Sequence, residues 1–203
     1  MTRLKKLWIV LERNILRLIS YVNRDAYKEL YPKYLRNIGI RIPENYREGG
    51  MGFIDPTAHF DGNDYSLISI GKNTTISTNV YVLTHDYSIA VGLKSIGIHE
   101  PKARFLKPVE IGNGCFIGAR VLLLPGSKVG NNCIVGSGAV VSGCIPDNSI
   151  CGGVPCKIIC KTSEWAIKHI EAGDIVDVDI DRIRKECEEK KNDRFNHNNP
   201  NKK

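Results

Sequence analysis

The sequence lacks the patterns that mark a metal-binding, disulfide-stapled or membrane-spanning protein. Its seven cysteines include no CxxC pair, and Cys156 and Cys160 have no second pair or nearby histidine to complete a zinc site. The longest apolar run near the start, residues 7–11, is far shorter than the roughly 20 residues that a membrane span needs. We therefore expect no required metal, no membrane span and no signal peptide.

The cysteines are odd in number and all follow residue 114. The simplest interpretation is a set of reduced, buried thiols in a cytoplasmic protein, because disulfides are rare in reducing compartments.

Positive charge is confined to the first part of the chain. Residues 1–47 carry 11 Lys/Arg and 4 Asp/Glu, whereas residues 48–160 carry 8 of each and residues 161–203 carry 10 of each. Apolar residues recur at three and four over residues 2–23, which predicts an amphipathic helix. This arm, residues 1–48, either packs on the rest of the protein or a sister subunit, or lies on an anionic membrane. No nucleic-acid partner is expected.

Further helices are predicted at both ends of the chain. The first covers residues 25–38, where Pro32 must sit in the first turns or break the helix. Near the other end, Ser163 is the expected N-cap of a helix over residues 164–172 that ends at Gly173. A charged helix over residues 180–195 follows, and the last eight residues are polar and expected to be disordered.

A repeat of six residues runs from Ile111 to Val141. Its first positions are aliphatic and are commonly followed by glycine. A period of six is neither the 3.6 of a helix nor the 2 of a flat strand, and it is typical of a solenoid of stacked parallel strands. About three units make one coil, and coils stack roughly 4.8 Å apart. The first positions are Ile111, Ile117, Leu123, Val129, Val135 and Val141.

The same period occurs upstream in a different phase. It includes Ile70, Ile76 and Val82, and Ile54 and Phe60 are candidates for an earlier coil. Since Val82 and Ile111 are 29 positions apart, which is not a multiple of six, part of the chain must leave the solenoid between them. We expect a solenoid domain over residues 49–160 with an excursion over residues 84–108, followed by a helical region over residues 161–203.

These segments resemble the left-handed β-helix acyltransferases, the hexapeptide-repeat family of galactoside, maltose and serine O-acetyltransferases. The likeness rests on the repeats and on ISTNVYVLTHDYS, KPVEIGNGCFIGARVLLLPGSKVG and GGVPCKII, and it is greatest to enzymes that O-acetylate saccharides in capsule, lipopolysaccharide or exopolysaccharide biosynthesis. It implies a mainly β fold, a left-handed parallel β-helix with N-terminal helices and a C-terminal helical tail. It also implies acetyl-CoA as co-substrate, a saccharide acceptor and a homotrimer whose sites lie between adjacent solenoids.

The resemblance implies that His85 is the catalytic base. It matches the catalytic histidine of the sugar acetyltransferases and lies where the solenoid gives way to the excursion. A neutral imidazole can remove a proton from a hydroxyl near pH 7. Such a base needs an orienting acceptor, and Asp64 and Asp61 are both candidates for that role or for binding sugar hydroxyls. Asp86 is expected to orient the loop rather than the imidazole.

The resemblance also implies a set of acetyl-CoA positions. Small residues let the pantetheine arm approach the backbone closely, Phe116 stands where relatives often have Trp, and Lys157 matches a basic residue near the CoA phosphates. The repeat itself also requires the glycines, so their presence alone does not indicate a cofactor. The full set is Phe116, Gly118, Ala119, Gly136, Ser137, Ser142 and Lys157.

Other functions remain open at this point. The acceptor could be the amine of an amino sugar or of an antibiotic, or the solenoid could be a non-catalytic scaffold. A serine acetyltransferase is disfavoured because its long helical N-terminal domain is absent. A solenoid carbonic anhydrase needs three histidines at coil spacing, and His59, His85 and His99 are 26 and 14 positions apart. The sequence leaves open the acceptor sugar, its hydroxyl and whether the acceptor is free, nucleotide-linked or lipid-linked.

Overall fold

The computed structural model describes residues 3–61 and 64–197. The chain forms two compact units, Met1–Ile159 and Cys160–Lys203. The larger unit contains two N-terminal helices and a stack of coils made of very short strands. Its strands and those that follow are β1 Phe53–Ile54, β2 His59–Phe60, β3 Ile68–Ile70, β4 Thr75–Ile76, β5 Tyr81–Val82, β6 His85–Asp86, β7 Phe105–Leu106, β8 Val109–Ile111, β9 Phe116–Ile117, β10 Leu122–Leu123, β11 Lys128–Val129, β12 Ile134–Val135, β13 Val140–Val141, β14 Cys144–Ile145, β15 Ser149–Gly152 and β16 Lys157–Lys161.

The coils stack so that their strands form three faces. Face 1 has the order β1-β4-β9-β12-β15-β16, face 2 has β2-β5-β10-β13, and face 3 has β3-β8-β11-β14. From β1 to β15, neighbours within these faces are parallel and in register. The prediction of a parallel-stranded solenoid is therefore confirmed.

The first position of each predicted repeat points into the core. Ile117, Leu123 and Val135 are fully buried, and the remaining first positions from Ile111 to Val141 are buried as well. The upstream coil is also present, because Ile54 pairs with Ile76 and Phe60 pairs with Val82. Burying an aliphatic side chain of this size contributes about 1.5–3 kcal/mol, so the stack of interior side chains supplies the main stabilisation of the coils.

Side-chain amides and carboxylates hold the corner between faces 3 and 1. The Oδ1 atom of Asn113 accepts a hydrogen bond from the backbone N–H of Lys72 at 2.8 Å, Asn131 accepts one from Asn113 at 2.9 Å, and Asp147 accepts one from Asn131 at 2.8 Å. Each side chain thus satisfies a backbone donor of the neighbouring coil. This ladder connects four consecutive coils along one edge.

The chain leaves the coils after Thr84 and returns at β8. The excursion contains β6, the helix α3 over Ser88–Ser95, and β7, which pairs antiparallel with β6 so that His85 lies opposite Leu106. The excursion is therefore a hairpin with a helix at its tip, and it holds His85 in its first strand.

The two N-terminal helices are α1, Arg3–Val22, and α2, Arg24–Ile38. The expectation that Pro32 begins or breaks the second helix is wrong, because the helix continues through it. Pro32 is buried, and its packing compensates for the missing backbone donor. The Tyr27 hydroxyl donates to the Ile54 carbonyl at 2.8 Å, which attaches α2 to the first coil.

The smaller unit contains α4, Thr162–Ala172, and α5, Ile180–His197. Gly173 ends α4 in the left-handed conformation, as predicted. The predicted N-cap Ser163 is wrong, since Lys161 is the N-cap and the Glu164 side chain accepts a hydrogen bond from its backbone N–H at 3.2 Å. The last eight residues were predicted to be disordered, which is wrong for Asn196 and His197 because they belong to α5. The other six, residues 198–203, lie outside the described residues. Within the described ranges, no helix combines the length and apolar character needed to cross a bilayer.

All seven cysteines are free. Cys115, Cys133 and Cys151 are buried, and burial raises the pKa of the Cys115 thiol to about 11. The expectation of buried thiols is wrong for Cys144, which is exposed on the outer side of face 3. An exposed thiol of this kind is accessible to thiol reagents.

Candidate active site

His85 lies at the junction between the coils and the excursion. It is the first residue of β6, and its side chain is one-quarter exposed. The ring edge faces the Tyr87 ring, with the ring centroids 5.5 Å apart and the planes nearly perpendicular. The imidazole is therefore anchored on one side by the protein and remains accessible to a small ligand.

Asp61 is the residue that holds the His85 ring. Its Oδ2 atom contacts His85 Nδ1, and the same oxygen accepts hydrogen bonds from the backbone N–H of Thr84 at 3.0 Å and of His85 at 3.2 Å. The Thr84 hydroxyl donates to it as well, at 2.9 Å. Only 5% of Asp61 is exposed, so this carboxylate is a buried acceptor on which four donors converge.

The hydrogen bonds decide the charge state of Asp61. Burial by itself raises the pKa of the carboxyl, but the hydrogen bonds from His85 and Thr84 outweigh it and hold the Asp61 pKa below its usual value. An ionised carboxylate is an acceptor only, so the His85 nitrogen that faces it must donate. When the imidazole is neutral, the pair therefore places its proton on Nδ1, and Nε2 is the basic nitrogen.

The neighbours of His85 in the loop have separate partners. Asp86 accepts a hydrogen bond from the backbone N–H of Ser88 at 2.7 Å, which starts the turn into α3. Its pKa is lowered chiefly by that backbone hydrogen bond. Arg104 donates to the Tyr87 hydroxyl at 3.0 Å and lies over the same ring. These contacts shape the loop around the imidazole.

Asp64, the other carboxylate considered from sequence, has a local structural role. It is exposed and caps a short 3₁₀ turn, Tyr65–Leu67, by accepting from the backbone N–H of Ser66 at 3.0 Å and from its hydroxyl at 2.6 Å. Of the two candidates, it is Asp61 that contacts the His85 ring. A role for Asp64 in binding an acceptor stays a prediction.

The predicted acetyl-CoA positions occupy two different corners of the solenoid. Gly118, Ala119, Gly136 and Ser137 follow β9 and β12, at the corner between faces 1 and 2. Ser142 follows β13, at the opposite edge of face 2. The paired registers of β2, β5, β10 and β13 put Asp61 and Ser142 at that same edge, separated by two intervening coils.

Gly118, at the first of these corners, has a reason in the fold itself. A Cβ atom on Gly118 would lie 2.6 Å from the backbone nitrogen of Ser137 in the next coil, which is too close for any other residue. The N–H groups of Gly118 and Gly136 donate to Val135 and Cys151 at 2.8 Å. Since both donors are used between coils, they are not available to a ligand.

Phe116 and Lys157 are both exposed on the outside of the coils. Phe116 projects from the outer side of face 1 and is 45% exposed. Lys157 is exposed at the start of β16, after the cis peptide bond between Val154 and Pro155. Their location is compatible with a ligand that lies along the outside of the coils.

Thr84 is a part of the site that the sequence did not reveal. Its side chain is fully buried, and both its N–H and its hydroxyl bond to Asp61. Its position directly before His85 was the only available signal. In the part of the chain that is described, no three His, Cys, Asp or Glu side chains are arranged to hold a metal ion. The His59 ring packs against Tyr81, with the ring centroids 5.3 Å apart and the planes tilted by 39°.

Comparison with known proteins agrees with the geometry of the coils. A protein-family model described as bacterial transferase hexapeptide (six repeats) matches residues 108–143. The Escherichia coli K12 protein WbbJ, which is named as a lipopolysaccharide biosynthesis O-acetyl transferase, is 34% identical over 151 residues. That match covers 64% of this chain and 76% of WbbJ.

Two galactoside acetyltransferases are also similar. The galactoside O-acetyltransferase of Escherichia coli K12 is 33% identical over 137 residues, and the match covers 65% of this chain and 64% of the enzyme, which is just under two thirds. A solved structure of a galactoside acetyltransferase in complex with coenzyme A is 23% identical, with a TM-score of 0.49, over 74% of this chain and 79% of that one.

Proposed function

We propose that this chain, which belongs to the hexapeptide-repeat acetyltransferases, transfers the acetyl group of acetyl-CoA to a hydroxyl group of a saccharide. The observation that carries the proposal is the contact between His85 and the buried carboxylate of Asp61. The relatives named as acetyltransferases support the acetyl donor, and those named for lipopolysaccharide and galactoside support the saccharide acceptor.

The reaction follows from the tautomer that Asp61 imposes. His85 Nε2 removes the proton of the acceptor hydroxyl as its oxygen attacks the thioester carbonyl carbon. The C–S bond then breaks, and the sulfur of CoA receives the proton from Nε2. The products are an acetyl ester and CoA with a free thiol. Asp61 stays ionised throughout and stabilises the imidazolium that forms between the two proton transfers.

The exposed residues on the outside of the coils are suited to acetyl-CoA. Lys157 offers a cation for the phosphates, and the half-exposed Phe116 offers an apolar surface near the acyl end. Ser137 and Ser142 are exposed hydroxyls on coil corners. Because Gly118 and Gly136 use their N–H groups between coils, we assign them the role of letting the ligand approach rather than of bonding to it.

We further propose a homotrimer in which each site lies between two solenoids. Within one chain, His85 and the corner that contains Gly118 lie at opposite edges of face 2. A site that needs both the base and that corner is therefore better formed by two neighbouring subunits than by one. We also propose that the coils wind in the left-handed sense of the family, and that the division at residues 48 and 160 separates functional domains.

The reaction is proposed to occur in the cytoplasm as part of the biosynthesis of a surface polysaccharide. The seven free cysteines fit a reducing compartment. The name of WbbJ supports a role in lipopolysaccharide or a related polymer.

The test is release of CoA from acetyl-CoA in the presence of a panel of sugars, nucleotide sugars, amino sugars and aminoglycosides. CoA should be separated and measured by chromatography, since the exposed Cys144 would react with a thiol dye. We expect acceptor-dependent release that falls by about 10²–10⁴-fold in His85→Ala. Binding of CoA, measured by calorimetry, should be unchanged in that variant.

His59→Ala is the matched control, because the His59 ring also packs against a tyrosine ring but lies on face 2 rather than at the junction. It should keep wild-type turnover. Full turnover by His85→Ala would rule out its role as base. Release that depends only on amine acceptors would favour N-acetylation, and absence of CoA binding would favour a non-catalytic scaffold.

A further inference from the structure

Helix α1 has an apolar side that nothing within the described chain covers. Six large apolar residues along it are between 49% and 88% exposed. They recur at intervals of four, three, four, three and four, so they form one continuous row along the helix. A contiguous row of this kind differs from the scattered single apolar residues that are normal on a protein surface. The row, here called the α1 stripe, consists of Leu4, Trp8, Leu11, Ile15, Leu18 and Val22.

A different side of the same helix is attached to the protein. Leu16 is 5% exposed, and Ile9 and Ile19 are partly buried against the core. The Tyr34 hydroxyl of α2 donates to the Ile9 carbonyl at 3.3 Å. Because these contacts fix the rotation of α1 about its axis, the exposed stripe is not available to fold back onto the coils.

The charge of the helix distinguishes between two partners that could cover the stripe, a second copy of this chain and an anionic lipid surface. Over residues 3–22 the sequence has five Lys/Arg and a single acidic residue, Glu12. The spacing of the stripe would also suit a coiled coil with a second copy. However, in a parallel pair of helices the positions that would face Glu12 are Leu7, Asn14 and Tyr21, so a second copy in that arrangement would offer it no charge to pair with. An anionic lipid surface complements both the apolar row and the net positive charge.

We propose that the α1 stripe binds the surface of an anionic phospholipid membrane, with the helix axis in the plane of the interface. Trp8 lies near the start of the stripe and is suited to the headgroup region, where indole rings concentrate. The acidic lipids attract the cationic residues, and the apolar row enters the acyl boundary. The proposal rests on the surface of α1 alone and is independent of the acetyl-transfer reaction, so either can fail without the other.

The test is co-sedimentation of the full-length protein with vesicles of about one-third phosphatidylglycerol in phosphatidylcholine, at about 0.1 M salt. We expect the protein to pellet with these vesicles and to remain in the supernatant with phosphatidylcholine alone. The double variant Leu11→Glu, Leu18→Glu should bind at least about tenfold more weakly. Both side chains are exposed, so the variant should unfold at the wild-type temperature. Val176→Glu, Val178→Glu is the matched control and should bind as the wild type does, since these apolar residues are exposed outside α1.

A second measurement locates the contact. The chain has two tryptophans, Trp8 and Trp165, so the Trp165→Phe variant reports from α1 alone. Its fluorescence should shift to shorter wavelength on addition of the anionic vesicles. The proposal is overturned by a wild-type protein that stays in the supernatant, by equal pelleting with neutral vesicles, or by unchanged binding of the α1 double variant. A smaller assembly in that variant on ultracentrifugation, without any vesicle binding by the wild type, would identify a second copy as the occupant instead.

Discussion

Replacing Asp61 by Asn tests whether the carboxylate, rather than the shape of the site, makes His85 a base. Four donors from Thr84 and His85 converge on the Oδ2 atom of Asp61. The amide oxygen of Asn can occupy the same place and accept the same hydrogen bonds. The substitution therefore keeps the geometry of the site and removes the negative charge that stabilises the imidazolium.

The expected loss follows from what each change removes. Asp61→Asn should lower kcat by about 10²-fold, which is about 3 kcal/mol of transition-state stabilisation. Asp61→Ala also removes the acceptor, so the ring loses its orientation and kcat should fall by about 10³–10⁴-fold, close to the effect of His85→Ala. The alanine variant leaves buried N–H groups of Thr84 and His85 unsatisfied, so it should also be less stable by about 1–3 kcal/mol.

The assay measures kcat and KM for acetyl-CoA by chromatographic detection of CoA, together with urea unfolding at one fixed protein concentration. KM should change little in Asp61→Asn, because the carboxylate acts through His85 rather than on the co-substrate. Thr84→Val is the matched control. It removes one hydrogen bond to Asp61, at 2.9 Å, but leaves the contact with the ring. It should cost about 1 kcal/mol in stability and less than about threefold in kcat.

Two results would refute this reasoning. Wild-type kcat in a folded Asp61→Asn protein would mean that the charge has no part in catalysis. An equal loss in Thr84→Val and Asp61→Asn would mean that both substitutions act by disturbing the junction and that Asp61 has no specific effect on the base.

Three further predictions concern the binding of acetyl-CoA, the packing of the coils and the dependence of stability on pH. Lys157→Ala should raise KM for acetyl-CoA by up to about fivefold, the effect of losing one exposed contact with a phosphate, with kcat unchanged. Lys161→Ala removes an exposed lysine of the same strand and should leave KM unchanged. Gly118→Ala should lower the free energy of unfolding by about 1–3 kcal/mol, because its Cβ would lie 2.6 Å from the next coil, whereas Gly92→Ala, which meets nothing within 4 Å, should be neutral or slightly stabilising in circular-dichroism melts. Since its hydrogen bonds lower the pKa of Asp61 despite burial, the ionised group stabilises the fold above about pH 4. That contribution is lost as pH falls through the lowered pKa, so the stability gap between wild type and Asp61→Asn in urea should shrink on acidification.

The period of six predicted the interior of the solenoid because it depends on covalent spacing alone. Every residue that begins a repeat points inward, and one aliphatic side chain per face fills the core at Ile117, Leu123 and Val129. Local propensity was less informative. It did not predict that α2 continues through Pro32. A proline inside a helix removes one backbone hydrogen bond, which favours a break, but burial of Pro32 in the folded protein compensates for that loss.

The choice between Asp61 and Asp64 could not be made from the sequence because it depends on the length of one coil. Phe60 pairs with Val82, 22 positions later, rather than at the 18 of three regular repeats. The additional residues include the 3₁₀ turn that Asp64 caps. Because that turn lies outside the regular repeat, Asp61 lies beside Thr84 of the adjoining coil. Counting in regular units of six residues would have placed a different residue beside Thr84.

The position of His85 at the point where the coils are interrupted explains how a residue in a loop can be held firmly. On the coil side, Thr84 and His85 both donate backbone hydrogen bonds to Asp61. On the loop side, the Thr84 carbonyl accepts from the N–H of Lys107 at 2.9 Å, and β6 pairs with β7. The backbone that carries the imidazole is thus fixed from both directions, while the side chain keeps one-quarter of its surface exposed. An uninterrupted coil would have offered the same rigidity, but it would have left no space over the ring for an acceptor. A free loop would have offered the space without the rigidity that proton transfer requires.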